Sequence, residues 1–320
     1  MTTPTLELNR RAAALCGKII QQLNELRVGK HTLECGTTLF DFGIDRVGSI
    51  EAGVVLARVC LSDLGSVSLA DKDSARCDWP LIEVTTEAPI AACMASQYAG
   101  WEVKGEKFFA MGSGPMRAAA GRESLFDEIG YREHADACVG VLESANLPPT
   151  EVCLDIAEKC GIEPQHLTML VAPTSSIAGT LQVVARSVET ALHKLHELGF
   201  DLLRVVNGQG SAPLPTVADG DLAAIGVTND AILYGGQVTL EVTGDDATLE
   251  EIGPRVPSSA SSDYGKPFAE ILASYDNDFY QVDPLLFSAA QVTLVNVDTG
   301  SSFEFGELNR DVLQQSLGGA

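Results

Sequence analysis

Apolar positions recur at three- and four-residue steps through Ile177, Leu181, Val184, Val188, Leu192, Leu195 and Leu198. That period predicts one helix with a single face buried against a core. Thr174, Ser175 and Ser176 stand just before the run, where a side-chain oxygen satisfies an orphan N–H of a first helical turn. Gly199 supplies the stop. The opposite side carries a second line at the same spacing, Gln182, Arg186, Glu189 and His193. Two readings of this line are open: a solvated face with a weak ion pair, or a site beside a polar helix start.

The rest of the chain reads as mixed helix and strand. A helix is expected from about Leu6 to Arg27, strand-like structure from His31 to Phe42, and a short helix from Gly48-Ser49-Ile50-Glu51 through Leu64. Strands are expected near Val67–Leu69 and Pro80–Thr86, a helix over Pro89–Ala99, and a strand around Lys107–Met111. Gly112-Ser113-Gly114-Pro115 reads as a turn into a helix at Met116–Gly121; it lacks the third glycine of a dinucleotide fingerprint. The acidic, proline-punctuated stretch Glu123–Pro149 is the expected change of lobe, giving lobes of about 1–125 and 126–320 that need not be continuous. A helix at Thr150–Cys160 and a strand at Leu167–Val171 follow. Beyond the central helix, Leu202–Val206 reads as a strand and Asn207–Pro215 as a long loop. Ala231–Tyr234 and Gln237–Val242 read as a hairpin about Gly235-Gly236. The C-terminal part predicts a helix near Lys266–Tyr275, a strand at Val292–Val297 and a last helix from Glu307. The fold class is therefore α/β (mixed α+β) in two lobes. Ser49-Ile50-Glu51-Ala52-Gly53 echoes Ser176-Ile177-Ala178-Gly179. Chance and internal duplication both explain the echo. If it is duplication, each lobe turns one such helix start toward a large shared cleft.

A length of 320 residues suffices for two domains, and 45% hydrophobic with 20% charged residues is the composition of an ordinary globular protein. The formal net charge of −23 argues against a nucleic-acid partner and for solubility. Eight scattered cysteines with no Cys-x-x-Cys fit reduced thiols in a cytoplasmic protein. The start, Met1 to Lys18, does not have the form of an export signal, and no window approaches a membrane span.

Several chemistries are disfavoured. His193 and His196, three apart, are not the zinc pattern His-Glu-x-x-His, so no metal is expected. Ser175 and Ser176 lack a nucleophile elbow, and there is no Walker sequence. A carboxylate and a guanidinium on a helix beside a polar helix start remain.

The run Pro173-Thr174-Ser175-Ser176-Ile177-Ala178-Gly179, continuing through Ala185-Arg186-Ser187-Val188-Glu189 to His193-Lys194-Leu195-His196-Glu197-Leu198-Gly199, closely resembles the methenyltetrahydromethanopterin cyclohydrolases. Gly48-Ser49, Gly112-Ser113-Gly114-Pro115, Ala212-Pro213-Leu214-Pro215 and Asn229-Asp230-Ala231 agree in the same order. Met116 departs, since a small residue is expected after Gly-Ser-Gly-Pro. The resemblance implies a cytoplasmic, homo-oligomeric (trimeric) enzyme of one-carbon metabolism that interconverts the methenyl cation and the N5-formyl compound of a tetrahydromethanopterin. It implies a pterin pocket between lobes, no cofactor, no membrane or nucleic-acid partner, and Arg186 and Glu189 acting on the reacting water. Thr174, Ser175, Ser176, Gly179 and Gln182 are expected from helix geometry to line the pocket, with Ser113 and Gly114 beside them. Attack on a carbon that is already cationic needs a placed base more than an oxyanion hole or a Lewis acid. Glu189 is the expected base, and Arg186 is expected to orient it and keep it ionised. A folate-type cyclohydrolase and a non-catalytic pterin-binding protein are the competing readings.

Overall fold

The computed structural model describes residues 6–318; the first five residues, on which part of the export-signal reading rests, lie outside that range. In chain order the strands are β1 (Gly29–Thr32), β2 (Thr38–Asp41), β3 (Gly65–Ala70), β4 (Leu81–Thr86), β5 (Trp101–Lys104), β6 (Phe109–Ser113), β7 (Cys138–Glu143), β8 (Leu167–Ala172), β9 (Val205–Pro213), β10 (Gln237–Val242), β11 (Gln291–Asn296) and β12 (Ser302–Gly306). The helices are α1 (Leu8–Gln21), α2 (Leu23–Leu26), α3 (Ile50–Cys60), α4 (Met116–Ala120), α5 (Leu125–Glu128), α6 (Thr150–Cys160), α7 (Ile177–Val184), α8 (Ser187–Glu197), α9 (Asp221–Gly235), α10 (Asp246–Ile252), α11 (Phe268–Ser274) and α12 (Arg310–Leu317). Among the described residues no helix is long and apolar enough to cross a membrane.

Two compact units divide the chain: residues 1–65 with 91–182, and 66–90 with 183–320. The chain therefore changes unit after Gly65, Ile90 and Gln182. Glu123–Pro149, the expected place for that change, runs wholly inside the first unit, where its unanticipated strand β7 is a central element.

The first unit is built on a six-stranded sheet of order β1-β2-β8-β7-β6-β5. Its middle, β2-β8-β7, is parallel and its flanks are antiparallel. Parallel strands are covered on both faces, so they read as continuous apolar runs. Val139, Val141, Leu170 and Ala172 face one core with Leu15 and Ile19 of α1 and Leu56 and Val59 of α3. Their neighbours Cys138, Leu142, Met169 and Val171 face the other, with Met116 of α4 and Cys153, Ile156 and Cys160 of α6. Met116, the departure from expectation, has no exposed surface. Its room comes from Gly140 and Gly112, whose added Cβ atoms would lie 2.2 Å from its Sδ and 3.0 Å from its Cε.

The second unit carries the sheet β12-β11-β10-β9-β4-β3. Here β10 and β11 are parallel, while β12 on β11, β9 on β10 and β4 on β9 are antiparallel. Val238, Leu240 and Val242 alternate with Gln237, Thr239 and Glu241, the period of a sheet with one face on the core. The two sheets differ in pairing pattern, and the Ser-started helices α3 and α7 both begin in the first unit. One such start in each of two duplicated lobes is therefore not the arrangement found.

Three expectations are corrected. Asn207–Pro213 is not loop but most of β9, the longest strand, because its glycines are taken up by close packing described below. Ala231–Tyr234 is not a hairpin arm; it lies in α9, whose last six residues are all buried, so no polar stripe marks it as helix. Pro89–Ala99 is helical, but in the π form over Ile90–Gln97, closed by an i→i−5 bond from Tyr98 N to Cys93 O at 2.8 Å.

Candidate active site

The helix expected from Ser176 to Gly199 is two helices. α7 ends at Val184 and α8 begins at Ser187, with Ala185 and Arg186 forming the turn between. Arg186 sits at φ −92°, ψ 9°, and its N–H reaches back only to Val183 O, 3.0 Å away, a tighter i→i−3 closure. The β-branched pair Val183-Val184 is a poor continuation of a helix. The two halves also serve different cores: Ala178 and Leu181 pack in the first unit, the latter over Gly53, and Val188 packs on β9 in the second.

The start of α7 is built as the hydroxyl run suggests. Ser176 Oγ accepts from Gly179 N at 3.0 Å and donates to Pro173 O at 2.8 Å. Thr180 Oγ1 donates to Thr174 O at 2.9 Å. Gly179 has no alternative, since a Cβ there would fall 1.9 Å from Pro173 O. Thr174 and Ser176 are each 6% exposed and Ser175 is half-buried.

Gln182 and Ser113 have no exposed surface, and the structure joins them. Cys60 Sγ donates to Gln182 Oε1 at 3.7 Å and lies 3.9 Å from Ser113 Oγ. Ser96 ties in the adjoining turn, donating to Cys60 O at 2.5 Å and accepting from Gly114 N at 2.8 Å. Gly114 adopts φ +86°, a conformation that suits glycine. Cys60 and Ser96 were not anticipated as partners; a buried cysteine and a serine inside an apolar run carry no sequence pattern that would mark them. Thr174, Ser175, Ser176, Gly179, Gln182, Ser113 and Gly114 belong to the first unit, and Arg186 and Glu189 to the second.

The solvated reading of the polar line fails at α8. Arg186 and Glu189 are each only 5% exposed. Arg186 occupies the N-cap position and Glu189 is the third helical residue, so they stay one turn apart, and the carboxylate sits where the helix dipole favours negative charge. No side chain caps α8. One turn on, His193 is held below its ordinary pKa by burial, which outweighs the carboxylate of Glu197 at 3.7 Å from its Nε2. Lys194 has no exposed surface; burial lowers it to about 8, and its Nζ donates to Leu285 O.

These features define a two-sheet α/β chain with a carboxylate and a guanidinium buried at a helix start. The sequence matches the family described as Cyclohydrolase (MCH) over residues 7–317, and the chain belongs to that family. A protein of Methylobacillus flagellatus named methenyltetrahydromethanopterin cyclohydrolase is 45% identical over 312 residues, covering 97% of this chain and 95% of its own. Proteins of the same name from Rhodopirellula baltica and Methanococcoides burtonii are 46% identical (88% and 86% covered) and 38% identical (98% of each).

Proposed function

We propose that this chain hydrolyses N5,N10-methenyltetrahydromethanopterin, or its dephospho form, reversibly to the N5-formyl compound. The observation that carries the substrate is the near-full-length similarity to proteins that bear that activity in their name. The assignment of roles is supported by the burial of Arg186 and Glu189 on one helical turn, where unreactive surface charges would be solvated.

In the reaction the methenyl carbon is the electrophile, and it is already part of a cationic amidine. Glu189 takes a proton from the attacking water as the C–O bond forms, and the carbon loses its positive charge. The same carboxyl group then returns the proton to the departing N10 as the C–N10 bond breaks, and the remaining hydroxyl proton leaves to solvent as the C=O bond forms, giving the formyl group on N5 and one released proton. Arg186 orients Glu189. Thr174, Ser175, Ser176, Gly179, Gln182, Ser113 and Gly114 bind the pterin. Chemistry that starts from a cation and ends neutral asks for no Lewis acid and no redox cofactor. The remaining parts of the reading are a cytoplasmic location, a homo-oligomer with three copies, and no membrane or nucleic-acid partner.

Loss of the methenyl chromophore on addition of enzyme tests the reading, with methenyltetrahydrofolate offered in parallel. Glu189→Gln should bind the pterin with affinity near that of the wild type and lose at least about 10²-fold in kcat. A Glu189→Gln enzyme with wild-type turnover would remove the base assignment, and a wild type inert towards the methanopterin substrate would remove the substrate assignment.

A further inference from the structure

β9 is the longest strand of the second unit, paired on both sides, yet it carries glycine at positions 208 and 210. Glycine weakens a strand interior unless something must come close. Both glycines are buried on one face. Their neighbours across the sheet on that face are full-sized: Thr86 and Leu240 beside Gly208, Val84 and Val238 beside Gly210. The result is a trough one strand wide. Into it fit Ser187 and Val188, the first two residues of α8.

The fit leaves no room for a methyl group. A Cβ at Gly210 would lie 2.4 Å from Ser187 Oγ and 2.9 Å from Val188 Cγ2; one at Gly208 would lie 2.6 Å from Val188 Cγ1. No capping side chain fixes the start of α8, so its depth on the sheet is set by this packing. Ser187 Oγ has no exposed surface and no hydrogen-bond partner, a cost that an ordinary packing site avoids. Only a very small side chain fits there. The residues that flank the seated pair in sequence are Arg186 and Glu189.

We propose that Gly208 and Gly210 are positioning residues: their missing side chains set how deeply the first turn of α8 sits on β9, and through it the placement of the Glu189 carboxylate. The inference rests on the catalytic reading of Glu189 given above. Relieving a 2.4 Å contact to van der Waals distance moves the turn by about 1 Å, and a shift of that size at a reacting group costs roughly 10²-fold in rate.

The test is Gly210→Ala alone and combined with Ser187→Gly, with kcat, KM and melting temperature measured on the purified chain. Gly210→Ala should lower kcat roughly 10- to 100-fold with KM within about threefold, and Ser187→Gly should restore at least half of that loss on a logarithmic scale. Gly208→Ala with Val188→Ala repeats the logic at the second contact. A folded Gly210→Ala enzyme with wild-type kcat overturns the inference, as does a loss that Ser187→Gly leaves unrepaired. If Gly210→Ala does not fold, the double variant must return as a folded, active enzyme; failure to do so also overturns it. Should the wild type itself not turn over the methenyl substrate, the functional reading falls, which is a different result from a silent glycine variant.

Discussion

Arg117 has no exposed surface, and every direction around its guanidinium is occupied. Nε donates to Glu123 Oε1 at 2.9 Å and Nη2 to Glu123 Oε2 at 2.5 Å, a two-point fork. Nη1 donates to Met94 O at 2.8 Å, a carbonyl of the π-helical segment, and the planar group lies 4.9 Å from the Tyr98 ring and 5.3 Å from that of Phe126. A buried pair adds little over an apolar replacement, but removing one partner strands the other. Glu123→Ala should therefore destabilise the chain by about 3 kcal/mol, toward the lower end of the usual range because Glu123 keeps 22% of its side chain exposed. Urea unfolding reads this directly. An unchanged midpoint would mean that the carbonyls of Met94 and Ser96, the latter 3.4 Å from Nη1, and the two rings suffice for Arg117 without a counter-ion.

Among the elements, one carboxyl group of α9 bonds two neighbouring helices. Asp230 accepts from Phe268 N, at the start of α11, at 2.8 Å, and from Ser316 Oγ of α12 at 2.5 Å. Burial raises its pKa to about 7, assisted by the charge of Glu270 and opposed by the two hydrogen bonds. A group whose folded pKa lies above its ordinary 3.8 contributes stability that is complete below about pH 4 and is lost as pH rises through about 7. Asp230→Asn keeps the acceptor for Phe268 and cannot ionise. Its melting temperature relative to the wild type should therefore climb between pH 5 and pH 8, while other titrations cancel in the difference. A difference constant with pH would show that Asp230 does not titrate in this window. α9 is also where the sequence is least legible. Its buried run Ala231–Tyr234 offers neither a 3.6-residue polar stripe nor strict alternation, so the two glycines that follow suggest a hairpin. Gly208 and Gly210 mislead in the same manner, because glycine signals a loop until the helix seated on it is known. The capped starts were legible: Ser49 Oγ accepts from Ala52 N, and Ser176 Oγ from Gly179 N, as hydroxyls ahead of an apolar run suggest. The spacing of Arg186 and Glu189 was legible too. The break between α7 and α8 was not, since the apolar period continues across it while the residues on its two sides enter different cores.

For the whole molecule the dominant electrostatic fact is the imbalance of 44 acidic against 21 basic residues, a formal charge of −23. Only a minority of the carboxylates are compensated locally. Arg58 with Asp63 and Arg117 with Glu123 are paired, and most acidic side chains among the described residues are exposed. Such a surface favours solubility and opposes the compact state through self-repulsion. The repulsion is long-ranged at low ionic strength, where the Debye length is about 30 Å at 0.01 M, and shrinks to about 10 Å at 0.1 M. Melting temperature should therefore rise with added sodium chloride, steeply up to about 0.2 M and little beyond, as the screening length falls below the spacing between charges. The shape of the curve separates this effect from preferential exclusion of salt, which strengthens burial steadily as concentration grows. Potassium chloride at equal ionic strength should superimpose on sodium chloride in the steep region. A melting temperature that is flat below 0.2 M and rises only above it would assign the salt response to hydration, and would mean that the acidic surface carries no appreciable penalty in the folded chain.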